Sequence, residues 1–150
     1  MTGGNDGTKR LDEDSSGAPI DFDRLDFVAE RLSAADRFDH VEKRPESAPD
    51  RAVCRDNPRL SPSSVSTARL EIVWFENGDF SLHYHERHDG GSFDHRSDRH
   101  PSEHNTRDHV HPGPDGPTPG TDASHPRDWR DVLSMALSEI ETRQRGFWIE

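Results

Sequence analysis

Large apolar side chains recur at every second position in residues 70–74 and again in 80–84, on the two sides of an Asn-Gly pair. The apolar members form two sets: Leu70, Ile72 and Trp74 before the pair, then Phe80, Leu82 and Tyr84 after it. Because successive side chains of a strand point to opposite faces, this pattern predicts two half-buried strands. Asn77-Gly78 is the strongest short hairpin signal in the sequence, so we expect the two strands to pair antiparallel.

Further strands are predicted on either side of this hairpin. A third strand at 93–98 follows the turn Asp89-Gly90-Gly91, and two short strands are predicted at 38–42 and 51–55. The strands follow one another with short connections, which favours an antiparallel meander. The polar face of the second hairpin strand is rich in histidine and lies opposite its apolar face.

Two amphipathic helices are predicted, one before and one after the strands. From Asp21, a plausible cap, apolar residues recur at three- and four-residue steps: Leu25, Val28, Leu32 and Ala35. The second helix is predicted to begin with Ser124 or His125 as its cap and Pro126 in its first turn. Its apolar stripe consists of Trp129, Val132, Leu133, Ala136, Leu137 and Ile140.

These elements predict an α+β fold in which an N-terminal and a C-terminal helix cover one face of a small antiparallel β-meander. Residues 1–19 lack an apolar pattern and are predicted to be a disordered acidic tail. Residues 20–150 are predicted to form a single domain. Within it, the segment 99–125 is rich in His, Pro and Gly, and we expect it to be a functional loop.

The charged residues are strongly biased toward Asp and Arg. The chain carries 30 acidic and 19 basic side chains, a net charge of −11, and only two of the basic residues are lysines. In molar salt the Debye length falls to ~3 Å, so repulsion between surface carboxylates is screened. We therefore interpret the composition as that of a halophilic protein rather than of a wholly disordered one.

Composition also excludes several classes of protein. No stretch approaches the ~20 apolar residues of a membrane span, and no apolar segment typical of a signal peptide follows Met1. We therefore expect a cytoplasmic protein without a membrane segment. A single cysteine, Cys54, excludes a disulfide framework and a Cys-based zinc site. The acidic balance argues against a generic DNA-binding surface.

Nine of the ten histidines fall between positions 83 and 125. One interpretation is a divalent metal site, with zinc as an example, whose candidate ligands are His83, His85, His109 and His111 with Asp98 or Asp108. A second is metal-free acid–base chemistry on a phosphodiester, in which two histidines flank the scissile bond and an arginine holds the developing charge. A third is that the imidazoles are solvated or bond loop carbonyls.

The order of residues in this region resembles that of the TumE family of prokaryotic toxins. The resemblance rests on Leu82-His83-Tyr84-His85, Phe93-x-x-Arg96-x-Asp98, Pro101 with His104, and His109-x-His111. It covers roughly residues 68–112, and the C-terminal helix looks like that of haloarchaeal relatives. Two positions depart from the family pattern: Ser97 stands where an aromatic residue is usual, and Arg99 where Asn is common.

The resemblance implies a toxin held inactive by a cognate antitoxin, which we expect to be a helix-turn-helix protein encoded nearby. The matching positions are His83, Tyr84, Arg96, Asp98, His104, His109 and His111. RNA cleavage would suit both the resemblance and the histidine and arginine constellation. The main alternative is a non-catalytic metal-binding or regulatory interaction protein that uses the same histidines.

For RNA cleavage we assign roles to individual residues. His104, His109 and His111 are the acid–base candidates, Arg96 contacts phosphate and Asp98 orients an imidazole. Substrate contacts are assigned to Arg99, Arg107, Tyr84 and His83.

Overall fold

The computed structural model describes residues 16–149, with side chains described up to residue 146. Two helices flank seven strands in the chain. The helices are α1 (Phe22–Ser33) and α2 (Trp129–Ile149). The strands are β1 (Phe38–Arg44), β2 (Arg51–Asp56), β3 (Val65–Trp74), β4 (Phe80–His88), β5 (Gly91–Arg99), β6 (Asp108–His111) and β7 (Thr121–Asp122).

The seven strands form one antiparallel sheet in which every strand lies beside its neighbour in sequence. Trp74 pairs with Phe80 at the end of the β3–β4 hairpin, where Gly78 adopts a φ of 90°. Only glycine reaches such a backbone conformation without strain, which explains the Asn-Gly turn. The predicted antiparallel meander is therefore confirmed.

Both helices pack on the same face of the sheet. The alternate residues of β3 and β4 that were predicted to be apolar and inward-facing are buried there against the helices. The contributing residues of α1 are Leu25, Val28 and Leu32, and those of α2 are Val132, Leu133, Ala136 and Ile140. Burial of this continuous apolar surface is the main stabilising term of the fold. The predicted α+β class, with a helix from each end of the chain, is confirmed.

The segment 99–125 contains two short strands that the sequence did not predict. Asp108–His111 pairs with the end of β5, and Thr121–Asp122 pairs with β6. Prolines occur on both sides of β6, so they limit its length without interrupting it. After β6, the chain continues alongside β5, where the Asp94 N–H donates to the Pro114 carbonyl at 2.7 Å.

The start of the second helix differs from the prediction. The helix begins at Trp129, three residues beyond Pro126. Asp128 provides the cap, because its carboxylate accepts the Arg130 N–H at 2.8 Å. His125, one of the two predicted caps, instead donates its backbone N–H to Asp108. This bond attaches residue 125 to β6. Residues 126–128 then connect the sheet to the first residue of the helix.

The predicted N-terminal tail lies largely outside the described residues. Within the described part, the Pro19 carbonyl accepts the Glu76 N–H at 2.9 Å, and Ile20 forms a bridge with Phe75. Asp21 then caps α1 by accepting the Arg24 N–H, as predicted. Neither α1 nor α2, as far as the structure describes them, is long and apolar enough to cross a membrane.

Candidate functional site

The face of the sheet opposite the helices carries a concentration of histidine, aspartate and arginine on β4, β5 and β6. Residues paired across neighbouring strands lie on the same face. His83 is paired with Arg96, and Arg96 with His111, so the pairing continues across three strands. The residues that share this polar face are His83, His85, Asp94, Arg96, Asp98, His109 and His111.

Asp98 is the centre of a buried cluster on this face. Three imidazoles point their Nε2 atoms at its Oδ2 atom, at 3.3 Å from His100, 3.5 Å from His109 and 3.3 Å from His111. Arg96 donates from Nε to the same oxygen at 2.9 Å. Asp98 is 0% exposed and His109 1%. This arrangement concentrates four nitrogen groups around one carboxylate oxygen that water does not reach.

The second nitrogen of each ring in the cluster is held by a backbone carbonyl. Nδ1 of His109 lies 2.9 Å from the Thr106 oxygen, and Nδ1 of His111 lies 2.7 Å from the Pro117 oxygen. Nδ1 of His100 lies 2.8 Å from the carbonyl oxygen of the next residue. Since a carbonyl only accepts hydrogen bonds, each ring must carry its proton on Nδ1. The rings are therefore fixed in both orientation and tautomer.

The cluster shifts the titration of its members. Burial works to raise the pKa of Asp98, but the hydrogen bonds that His100, His109 and His111 donate in their doubly protonated form, together with the charge of Arg96, hold it far below its usual range. The hydrogen bond to Asp98 raises the pKa of His109 above its ordinary value, against the opposing effect of burial. Asp98 is therefore an ionised carboxylate in the folded protein.

A second, exposed group lies further along the same face. His83 and His85 both bond Oδ1 of Asp94, through Nε2 at 2.9 Å and Nδ1 at 2.8 Å respectively. Burial works to raise the pKa of Asp94, and the hydrogen bonds from these two rings outweigh it and lower it. A recess of about 220 Å³ opens here, lined by His83, Asp94, His95, Arg96, Asp115 and Gly116. We call this space, the residues that line it and the adjacent His85, which bonds Asp94, the exposed recess.

The structure brings only some of the sequence-predicted catalytic residues together. His109, His111, Asp98 and Arg96 meet in the buried cluster, whereas His104 is exposed on the loop after β5 and stands apart from it. The four predicted metal-ligating histidines divide into two pairs. His83 and His85 face Asp94, while His109 and His111 face Asp98.

The predicted substrate-binding residues other than His83 are engaged elsewhere. Tyr84 is buried on the helix-facing side, where its hydroxyl donates to Glu86 at 2.8 Å. Arg99 forms a two-pronged ion pair with Asp108 and also bonds two carbonyls. Arg107 bonds both oxygens of the buried Asp79 but remains half exposed.

Arg99 and Arg107 line a broad cleft of about 1040 Å³ beside the start of α2. It also contains three further arginines and two tryptophans: Arg24, Arg127, Arg130, Trp74 and Trp129. The Arg24 guanidinium lies 4.9 Å from the centre of the Trp129 ring. Five arginines face three aspartates in this lining, so the cleft is locally basic in an acidic protein. We call it the arginine cleft.

Two members of the site were missed at the sequence level. His100 joins the buried cluster and Asp94 joins the exposed recess. Asp94 lies at the same two-residue spacing as Arg96 and Asp98, a signal that places all three on one face of a strand. His100 directly follows the strand, and its role depends on how the chain turns there, which spacing alone does not show.

Among the described residues, one group has the spacing that a metal ion requires. Asp98, His109 and His111 each offer a ligand atom, and these atoms all lie within 4.8 Å of one another. Imidazole nitrogen and carboxylate oxygen are common ligands of divalent transition metals. The buried group has the ligand types and spacing to hold a metal ion.

Fold and site together define a small α+β protein with a histidine and aspartate face on a meandering sheet. The family model described as Toxin TumE matches residues 25–144. This match begins within α1, includes all seven strands and ends within α2, and the chain belongs to the TumE toxin family. Membership in a toxin family of this kind implies a cognate antitoxin as partner. No curated protein and no solved structure matches the chain.

Proposed function

We propose that this TumE-family toxin cleaves RNA, with the exposed recess as its reaction centre. The observation that carries the proposal is the accessible pairing of two imidazoles on one carboxylate, beside an arginine. His83 and His85 both bond Asp94, and Arg96 is the cross-strand partner of His83. This is the set of groups that metal-free cleavage of a phosphodiester requires.

Each group has a distinct task in the proposed reaction. One of His83 and His85 takes the proton from the ribose 2′-hydroxyl, whose oxygen then attacks phosphorus. The other gives a proton to the departing 5′-oxygen, leaving a 2′,3′-cyclic phosphate. Asp94 accepts an N–H from each ring, so the nitrogen on the far side of each ring exchanges the proton. Arg96 stabilises the charge that develops on the phosphoryl oxygens.

We assign the proton transfers to the exposed pair rather than to His109 and His111 for a steric reason. His109 and His111 are 1% and 5% exposed, and both nitrogens of each ring are already engaged. A phosphodiester cannot approach them without displacing the covering loop, by which we mean residues 112–120 with the Pro117 carbonyl that bonds His111. In contrast, the side chains of His83 and His85 are 38% and 22% exposed.

The arginine cleft offers contacts for the RNA backbone away from the bond that is cleaved. Arg107 is half exposed, Arg130 is 61% exposed in its side chain, and Trp129 lies beneath two guanidinium groups. Guanidinium groups bind phosphate, and aromatic rings stack on unpaired bases. The net charge of the chain is acidic, which disfavours RNA binding in general. The arginine cleft carries a local excess of positive charge, so a phosphate backbone can bind there.

The setting of this activity follows from composition and family. We place the toxin in the cytoplasm of a halophilic archaeon, where screening by salt tolerates its acidic surface. RNA is accessible there. The antitoxin is proposed to be a helix-turn-helix protein encoded beside the toxin.

Cleavage of a defined oligonucleotide tests the proposal directly. Purified full-length protein is incubated in high salt and excess chelator with a DNA oligonucleotide that contains one ribonucleotide. We expect cleavage after that ribonucleotide, ending in a cyclic phosphate, and none with the all-deoxy oligonucleotide. His83→Ala and His85→Ala should each slow cleavage by at least about 100-fold, the usual contribution of general acid–base catalysis.

His104→Ala is the matched control, because His104 is exposed and lies outside both groups. Cleavage of the all-deoxy oligonucleotide, or unchanged rates in both His83→Ala and His85→Ala, would overturn the proposed mechanism. Induced expression of the same variants in a halophilic host links cleavage to growth arrest. Arrest by the His83→Ala protein equal to that by the unmodified chain would separate toxicity from this site.

The second candidate is a non-catalytic protein that uses its histidines for metal binding or regulatory contacts. The buried Asp98, His109 and His111 group favours it. The oligonucleotide experiment discriminates between the two, because a binding protein leaves every substrate intact.

A further inference from the structure

The buried cluster around Asp98 contains an imbalance of donors and acceptors. Its three rings each carry a proton on Nδ1, because the facing carbonyls of Thr106, Pro117 and Pro101 accept hydrogen bonds. A neutral imidazole has only one N–H, so each Nε2 then bears a lone pair. These three lone pairs point at Oδ2 of Asp98, which is itself an acceptor. Four acceptors would therefore face one another inside the protein.

A cation between these acceptor atoms relieves the conflict. The ligand atoms of Asp98, His109 and His111 all lie within 4.8 Å of one another, so one ion can contact all three. Because Asp98 is buried and ionised, a positive ion there also meets a carboxylate that water does not reach.

The distances also favour a cation. The Nε2–Oδ2 distances of 3.3–3.5 Å exceed the about 2.7–2.9 Å of a charge-assisted hydrogen bond. Two atoms that each lie about 2.0–2.1 Å from a tetrahedral zinc ion are about 3.3–3.4 Å apart. The separations of His109 and His111 from the carboxylate oxygen therefore match those of two ligands on one metal ion.

The surrounding contacts match those of metal-binding histidines. Such rings usually donate their second N–H to a carbonyl or carboxylate, which fixes the tautomer. All three rings here do so with backbone carbonyls. The other oxygen of Asp98, Oδ1, is buried and has no hydrogen-bond partner among the described residues. It is available as an additional ligand.

We propose that Asp98, His109 and His111 bind one divalent transition-metal ion. Two imidazole nitrogens and one carboxylate oxygen suit zinc and its neighbours rather than magnesium or calcium. The ion links β5 to β6 and, through the carbonyls that orient the rings, holds the covering loop. The ligands are separate from His83 and His85, so metal binding does not depend on the proposed RNA cleavage.

Metal content and affinity of the purified full chain test this site. The protein is prepared without a metal-affinity step, analysed for bound metals, stripped with chelator and titrated with zinc sulfate. We expect about one zinc per chain and a rise in Tm on the order of 5 °C or more on zinc addition. Asp98→Asn, His109→Ala and His111→Ala should each weaken binding by more than about 100-fold, beyond the usual loss from removing an outer contact.

Two matched controls separate this site from adventitious binding to a histidine-rich surface. His83→Ala and His104→Ala remove exposed imidazoles and should leave the stoichiometry and affinity unchanged. Because a ligand variant can fail to fold, the unmodified chain is also loaded with cobalt(II), whose visible absorption should be that of a four-coordinate ion. Zinc uptake below about one tenth per chain or a six-coordinate cobalt spectrum would overturn the proposal. A loss of zinc affinity in His83→Ala and His104→Ala as large as that in the ligand variants would also overturn it.

Discussion

The Arg96 guanidinium donates through Nε to Oδ2 of Asp98 at 2.9 Å, which joins the exposed recess to the buried cluster. Asp98 is completely buried among histidines, whereas Arg96 lines the exposed recess. The buried carboxylate therefore sets the direction in which the guanidinium points. Any substrate contact that Arg96 makes in the recess depends on a residue that the substrate does not touch.

Replacing Arg96 by lysine should impair RNA cleavage without unfolding the protein. Lysine keeps the positive charge but loses the planar group that can bond Asp98 and a phosphate together. We expect a fall in kcat of about 100-fold or more, comparable to removal of one donor to a developing oxyanion. Single-turnover cleavage of the one-ribonucleotide substrate measures this fall. A kcat within about threefold of the unmodified protein would show that Arg96 does not contact the reacting phosphate.

Asp94→Asn should lower stability in a way that depends on pH. The folded-state pKa of Asp94 lies below its ordinary value, so its ionised form stabilises the fold above the unfolded pKa of about 3.9. This contribution disappears as the pH falls through the lower, folded pKa. Urea unfolding of the variant should therefore show a lower midpoint near neutral pH and a shrinking difference in acid.

Asp115→Asn is the control for that experiment, since Asp115 is an exposed carboxylate at the rim of the same recess. We expect it to change the urea midpoint little at any pH. A constant difference between Asp94→Asn and the unmodified chain from neutral to strongly acidic pH would contradict a titrating Asp94.

Ser97→Phe should stabilise the protein. Ser97 is buried on the helix-facing side, opposite Leu82, at the position where the TumE resemblance led us to expect an aromatic residue. A recess of about 350 Å³ lies beside it, between the sheet and α2, with Leu70, Leu82, Tyr84, Phe93 and Ile140 in its lining. Filling such a space typically adds about 0.5–2 kcal/mol to the free energy of unfolding. Thermal unfolding measures the gain, and a fall in Tm would show that the recess cannot accept a ring.

Gln144→Ala should destabilise the protein strongly. Its amide nitrogen donates to Asp56 at 2.7 Å and to the Tyr84 hydroxyl at 2.8 Å, and its oxygen accepts from Arg37. Removing the amide takes one hydrogen bond from each of these three partners, at a cost of about 0.5–1.5 kcal/mol for each bond, and more where the partner is charged. We expect a total loss of about 2–4 kcal/mol in chemical unfolding. Glu141→Ala, at an exposed position of α2, should change stability by less than about 0.5 kcal/mol.

The sheet and its covering helices were predictable because each depends on a local period. Alternation places Leu82 and Tyr84 on one face and His83 on the other regardless of what surrounds them, and the Asn77-Gly78 turn sets the pairing. The start of α2 was predicted wrongly because both Ser124-His125 and Asp128 offer suitable capping residues, and Asp128 is the cap. Only the bond from the residue 125 N–H to Asp108, which joins distant parts of the chain, decides between them.

The site was less predictable than the fold for a related reason. Sequence spacing grouped His83 and His85, and also His109 and His111, but did not show that each pair faces a different aspartate. The pairing of β5 with β6 determines that His109 lies opposite Asp98. This contact joins residues separated by a proline-containing loop, and no local pattern specifies its register.

The carbonyls that orient the buried imidazoles belong to loop residues whose side chains take no part in the contact. Substitutions at Thr106 or Pro117 that preserve the path of the chain would leave those oxygens in place. Deleting one residue between Pro112 and Gly120 would move the Pro117 oxygen away from His111. Gly120 is a further restraint on the path, because a side chain there would overlap the Val110 carbonyl oxygen. Related proteins should therefore keep the length of the segment between Pro112 and Gly120 and the glycine at its end, while its other side chains vary.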